Sequence, residues 1–314
     1  MPKIPEKLRQ VACRIFRRSI LSDGSLSQLQ SAGTGFLVAF PVQGAALVYV
    51  VTNEHVIRGA GSIVVRLRTT AGGFDDIEID PTDWTTHPDK FDIAITEHPI
   101  NYQFGFHDAC YVAVEQLLPL QAIEKLGIGI GDDVFMIGRY IENDEQTNQP
   151  VARFGNVSVM PVVEEGLVNP KTESFLLDMH SRDGYSGSPV FMYRLPNNDL
   201  EVSLKAGGSV MGKPIFGLLG IHYGQYPEPI KATDKDENEI TLKVRSGITL
   251  VHPAWRILEL LDLDTLRQHR NVLEKSIVEH FDKNGWPPEL QAEKAKRMSG
   301  DDILRVLLNK PPKQ

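Results

Sequence analysis

Short apolar runs rich in Val, Ile, Phe and Tyr, each bounded by turn residues, recur through the first two-thirds of this 314-residue chain in two separate series. The first series holds GTGFLVAF at 33–40, ALVYVVT at 46–52, SIVVRLR at 62–68 and DIAIT at 92–96. The second holds DVFMIG at 133–138, VARFGNVSVM at 151–160, SFLLDM at 174–179, SPVFMY at 188–193 and PIFGLLGIHYG at 214–224. Runs this short and this β-branched suit a pleated, half-buried surface, which predicts strands. Residues 113–127 read as a connection, so the pattern predicts a mostly β protein of two antiparallel sheets or barrels joined by a linker. Past a last strand near 248–251 the period becomes helical, with Trp255, Ile257, Leu258 and Leu261 close to one face, then Leu266, Val272, Leu273, Ile277 and Phe281. Gly285 and the Pro287-Pro288 pair interrupt this pattern, and Ser299 with Asp302 predicts the cap of a final short helix carrying Ile303, Leu304 and Leu307. The expected units are a first barrel with its N-terminal segment at 1–112, a linker at 113–127, a second barrel at 128–251, and C-terminal helices and tail at 252–314. The tail is expected to pack on the second barrel, with docking of a partner protein through its helices as the alternative.

Charge and cysteine usage remove several classes of function. Thirty-three basic against 41 acidic side chains leave a net charge of −8, the wrong balance for a phosphate-binding surface, so no nucleic-acid partner is expected. The opening MPKIPEKLRQ lacks the apolar stretch of a secretory signal, and no run approaches membrane-span length. Only two cysteines occur, Cys13 and Cys110, which favours a reducing, cytoplasmic setting without disulfides. Nine dispersed histidines show no H-E-x-x-H or paired C-x-x-C spacing, so neither a metal nor another cofactor is expected. Asp234, Asp236 and Asn238 imitate the start of a calcium loop, but Glu239 and Arg245 occupy the positions that need glycine and an acid; 227–246 therefore reads as a solvated loop.

Three local patterns carry chemistry. In VVTNEHVI, His55 sits where an apolar strand yields to a turn, a position from which an imidazole can face a cleft. In HPDKFDIAI, Asp92 opens an apolar strand, and a carboxylate placed there needs a donor partner to offset its desolvation. In DGYSGSPV, Ser186 stands between Gly184 and Gly187 in a small-residue turn ahead of a strand. Gly184 permits backbone angles that expose an N–H, Gly187 is expected to clear the approach of a substrate, and the amides of Gly184 and Ser186 would make an oxyanion hole. The order His, Asp, Ser excludes the α/β-hydrolase arrangement, in which the serine comes first within G-x-S-x-G; here the fifth position is Ser188.

Taken together, TNEHV resembles the histidine motif, FDIAI the aspartate motif and GYSGSP the nucleophile motif of trypsin-like serine peptidases. The resemblance spans roughly 30–252 and is nearest to bacterial members with G-x-S-G-S-P; GIHYG at 220–224 also resembles glutamyl endopeptidases. It implies two six-stranded chymotrypsin-like β-barrels with the triad His55, Asp92 and Ser186 in the crevice between them, and a protein or peptide as substrate. It implies in addition a primary specificity pocket to which Ser181, His222, Tyr223 and Gly224 contribute, with a preference for an acidic residue before the scissile bond. Tyr185 replaces the aspartate that digestive members carry before the nucleophile, and no part of the resemblance reaches 264–314. A protease scaffold acting as a binding or regulatory module with little turnover is the competing expectation.

Overall fold

The computed structural model describes residues 3–42, 45–139, 149–163, 168–195, 215–233, 239–285 and 300–309. Its first sheet is built from β1 (Ala12–Arg18), β2 (Gln30–Val42), β3 (Ala45–Thr52), β4 (Ser62–Arg68), β5 (Phe74–Ile79), β6 (Trp84–Thr86) and β7 (Ala94–Thr96), in the order β5-β4-β1-β2-β3-β7-β6. The short β8 (Val112–Ala113) runs parallel beside β2, and the whole curls into a half-barrel. Four of these strands, β1, β5, β6 and the short β8, are absent from the sequence expectation. The first two interleave charge with apolar residues, as in ACRIFRR and FDDIEI, and some of these charges find partners across the sheet. Arg66 of β4 and Asp76 of β5 stand opposite one another and make a two-pronged ion pair at 2.6 and 2.7 Å.

The second sheet is a closed six-stranded barrel of β9 (Asp133–Arg139), β10 (Pro150–Val159), β11 (Phe175–Asp178), β12 (Pro189–Arg194), β13 (Ile215–Thr233) and β14 (Glu239–Pro253), in the order β10-β11-β14-β13-β12-β9. Two sheets of this kind with a helical C-terminal extension make the chymotrypsin-like fold. The structure corrects the reading of 227–246 as a solvated loop. β13 and β14 run on as a two-stranded ribbon, paired from Pro227 with Arg245 to Thr233 with Glu239. Pro227 and Pro229 disguise it, since proline cannot donate to an inner ladder and is confined to edges such as this one. The calcium-like Asp234, Asp236 and Asn238 lie outside the described residues.

Strands β2 and β3 show why the halves cohere. Alternate residues Phe36, Val38, Phe40, Tyr49 and Val51 belong to the large core shared with the second barrel and the tail, while Leu37, Ala39, Val48 and Val50 face the hollow of the curled sheet. Both faces are therefore buried, which is why these strands read as continuous apolar runs. Polar bonds then lock the halves together. The Thr34 hydroxyl donates to the Gly184 carbonyl at 2.7 Å, and the Thr34 amide donates to the Ser186 carbonyl at 2.8 Å. The buried Arg139 guanidinium donates twice to the Ala12 carbonyl, at 2.9 and 2.6 Å.

Short helices α1 (Glu6–Arg9), α2 (Glu54–Ile57) and α3 (Leu120–Lys125) punctuate the strands, and α4 (Ala254–Leu261), α5 (Asp264–Asn284) and α6 (Gly300–Leu307) form the tail. The tail does not pack on the second barrel alone, as the sequence suggested. α4 lies on β13 and β14, whereas α6 lies on β2 and α5 places the Arg270 guanidinium 4.3 Å from the centre of the Phe40 ring in β2. Apolar residues spread around most of α4 make it a core helix: Trp255, Ile257, Leu258, Leu260 and Leu261 are all buried. Its two charges tie it to both halves as well, Arg256 pairing with Glu173 of the second and Glu259 accepting from His87 of the first at 3.2 Å. α5 ends at Gly285, whose φ of 92° suits glycine, as the sequence predicted; Pro287, Pro288 and Ser299 lie outside the described residues.

Candidate active site

Strand β3 delivers His55 on the single turn of α2, which Asn53 precedes in extended conformation. The Asn53 amide group donates to the Asp92 carbonyl at 2.6 Å and fixes the loop that carries the aspartate. Asp92 then uses both carboxylate oxygens on one residue: Oδ1 accepts from the His55 backbone N–H at 2.9 Å, and Oδ2 lies 2.5 Å from His55 Nδ1. Burial pushes the Asp92 carboxyl up, yet the hydrogen bonds and charge of His55 outweigh it and hold the group below its ordinary value. An ionised Asp92 keeps the proton of the imidazole on Nδ1 and leaves Nε2 as the free base.

Ser186 lies in the turn between β11 and β12, where Gly184 and Gly187 adopt φ of 93° and 86°. Among the described residues neither the Gly184 nor the Ser186 amide donates to a backbone carbonyl, so two N–H groups stand ready at the serine. Gly187 serves a different purpose from the one the sequence suggested. A Cβ there would collide with the Thr34 carbonyl and the Thr52 hydroxyl, so its bareness admits the first sheet and not a substrate. That contact brings the serine turn to the histidine. A Cβ on Gly33 would meet Val56, the neighbour of His55, at 2.9 Å and the Ser186 carbonyl at 3.0 Å. Among the described residues no hydrogen bond joins Ser186 Oγ to His55.

Beside the serine opens a cleft of about 440 Å³ lined by Ser181, Arg182, Gly184, His222, Gly224 and Gln225, among others. His222 is fully buried at its floor. Nδ1–H donates to the Tyr185 carbonyl at 2.9 Å, which leaves Nε2 to accept from the Ser181 hydroxyl at 3.0 Å. Burial pushes this imidazole down to about 4, so it is neutral at pH 7. The Gln225 amide group reaches Ser181 Oγ at 2.5 Å. Tyr223 departs from the sequence expectation, because a bulge between His222 and Gly224 turns its side chain away from the cleft. The ring stacks on His252 at 3.7 Å and 3°, and its hydroxyl donates to Ser174 Oγ at 3.2 Å. Sequence reasoning missed His252 and Gln225 altogether. His252 Nε2 accepts the Asp92 backbone N–H at 3.2 Å, so the last strand of the second barrel holds the aspartate loop of the first. Burial drives its imidazole down to about 3. No local signal marks such a residue, since its partner lies 160 positions away.

A curled sheet that carries His55 and Asp92, and a closed barrel whose Ser186 turn is hydrogen-bonded to that sheet at Thr34, define a chymotrypsin-like protein. The chain belongs to the family of the trypsin-like peptidase domain, whose model matches residues 33–194, just over half its length. Among solved structures, the apo protease domain of MamO from Magnetospirillum magneticum is 15% identical, with 82% of this chain and 99% of that one covered at a TM-score of 0.46. The HtrA-type protease AlgW with a decapeptide is 15% identical over 83% of this chain and 65% of that one, with a TM-score of 0.44. The Rv3671c protease in its inactive form is 14% identical over 81% and 88%, with a TM-score of 0.43. The comparison with curated proteins returned no match. No helix among the described residues is long and apolar enough to cross a membrane.

Proposed function

We propose that this chain is a serine endopeptidase in which Ser186 attacks the peptide carbonyl, His55 moves the proton and Asp92 orients His55. The observation that carries this reading is the double engagement of Asp92 with the backbone and the ring of His55, beside a serine turn with two uncommitted amides. Nδ1 is held as a donor, so Nε2 takes the Ser186 proton and returns it to the leaving amine, while Asp92 stabilises the imidazolium formed in between. The Gly184 and Ser186 amides receive the developing oxyanion, and water then releases the acyl group from Ser186.

The cleft supports a preference for an acidic residue before the scissile bond. Neutral His222 has no free donor, so a substrate carboxylate would be met by the Ser181 hydroxyl turned outward and by the Gln225 amide group. Its charge would then raise His222 towards protonation and add a third, charge-assisted donor. The absence of a Ser186 to His55 bond favours a second reading, a binding module that does not turn over, although such bonds commonly tighten only when substrate binds. An active-site serine reagent separates the two. Labelling of wild type but not of Ser186→Ala, with peptide hydrolysis falling on the order of a millionfold in the variant, is the expected result. An unlabelled wild-type protein sinks the enzyme reading. With peptides differing only at the residue before the cut, Glu should exceed Gln, Lys and Phe in kcat/KM, and His222→Ala should erase the difference.

A further inference from the structure

We propose that Glu97, His98 and His269 form a binding site for a divalent transition-metal ion of the zinc class, clamping helix α5 to the end of strand β7. One ligand atom from each residue lies within 4.8 Å of the others. His269 Nδ1 is buried without a hydrogen-bond partner, and its nearest carboxylate oxygen, Glu97 Oε1, is 3.7 Å away. That is too long for a hydrogen bond but close to the separation of two ligands across one tetrahedral ion, about 3.3 Å for bonds of roughly 2.0–2.1 Å. The His98 and His269 rings face one another with centres 4.5 Å apart and planes tilted by 36°. An ion drawing one nitrogen from each ring would replace a bare contact between imidazoles with two strong bonds.

The backbone on both sides is held in place. Glu97 N–H donates to the Asp83 carbonyl at 2.8 Å, and Arg270, the neighbour of His269, is anchored over Phe40. Only side-chain rotation is then needed to close the site. His98 is exposed, while Glu97 and His269 are partly so, which admits an ion and leaves room for a water at the fourth position. Two imidazoles and a single carboxylate select zinc, nickel, copper or cobalt and disfavour magnesium and calcium, which prefer all-oxygen sets. A second group of this kind, His87, Asp89 and Glu259, is already satisfied. His87 Nδ1 accepts the Asp89 amide at 3.2 Å, and Glu259 holds both His87 and Arg256, at 3.2 and 2.7 Å.

The full chain is titrated calorimetrically with zinc chloride, and with magnesium chloride as control, as wild type and as Glu97→Gln, His98→Ala, His269→Ala and His55→Ala. Wild type and His55→Ala should take up one tight equivalent of zinc and none of magnesium, and saturating zinc should raise their thermal midpoints. Each of the other three variants should lose at least tenfold in zinc affinity together with the midpoint shift. His98 is exposed, so its replacement leaves the fold intact even if loss of His269 does not. No zinc uptake by wild type, undiminished uptake by His98→Ala, or loss of the tight equivalent in His55→Ala would overturn the proposal.

Discussion

At the scale of the residue, burial sets the chemistry of the imidazoles. His222 and His252 both lie in the second barrel, held by burial at about 4 and about 3 and therefore neutral in the folded protein at pH 7. In the unfolded chain each returns to an ordinary value near 6.5. Between these limits the unfolded state binds protons that the folded state refuses, so stability is full above about pH 6.5 and declines as pH falls towards 4, at roughly 1.4 kcal/mol per pH unit for each histidine. Thermal midpoints recorded from pH 8 to pH 4 should drop along this slope, and His222→Gln should make it shallower. A flat profile would show that neither imidazole is held neutral. Of these residues, His55, Asp92 and Ser186 were legible because each stands in a short motif at the edge of a strand. His252 was not, since what distinguishes it is a partner brought near only by folding.

At the scale of the element, the serine turn is shaped as much by the first sheet as by its own sequence. Gly187 combines a φ of 86° with the Thr34 carbonyl occupying the place of its missing Cβ. Backbone strain of this kind costs about 1–3 kcal/mol before any displacement of the sheet is counted. Gly187→Ala should therefore lower unfolding free energy by at least about 2 kcal/mol in denaturant titrations and abolish Ser186 labelling, whereas Ser186→Ala keeps wild-type stability. Glycines around the serine were visible in the sequence, but the reason for Gly187 was not, because the atom that forbids a side chain belongs to β2. The ribbon of β13 and β14 was hidden for a related reason. Its charged, proline-bearing sequence resembles a loop, and only the register with its partner strand makes it a ladder.

At the scale of the whole molecule, the tail is structural. Trp255, Ile257, Leu258, Leu260 and Leu261 of α4 are buried in the core shared by both halves, and each such side chain is worth about 1.5–3 kcal/mol. Together these rival the 5–15 kcal/mol that typically stabilises a domain. A chain ending at Pro253 should lose cooperative unfolding and near-ultraviolet circular dichroism; a sharp transition in that chain would show that the halves are self-sufficient. The sequence alone determined the β class, the division into two sheets and the helical ending, and it marked the motifs that hold His55, Asp92 and Ser186, because period, turn chemistry and short motifs are written locally. The tertiary structure alone decided that the tail spans both halves, that Tyr223 turns from the cleft while Gln225 joins it, and that Glu97, His98 and His269 meet. Each of these depends on which distant surfaces are buried against one another, and burial is a property of the assembled core.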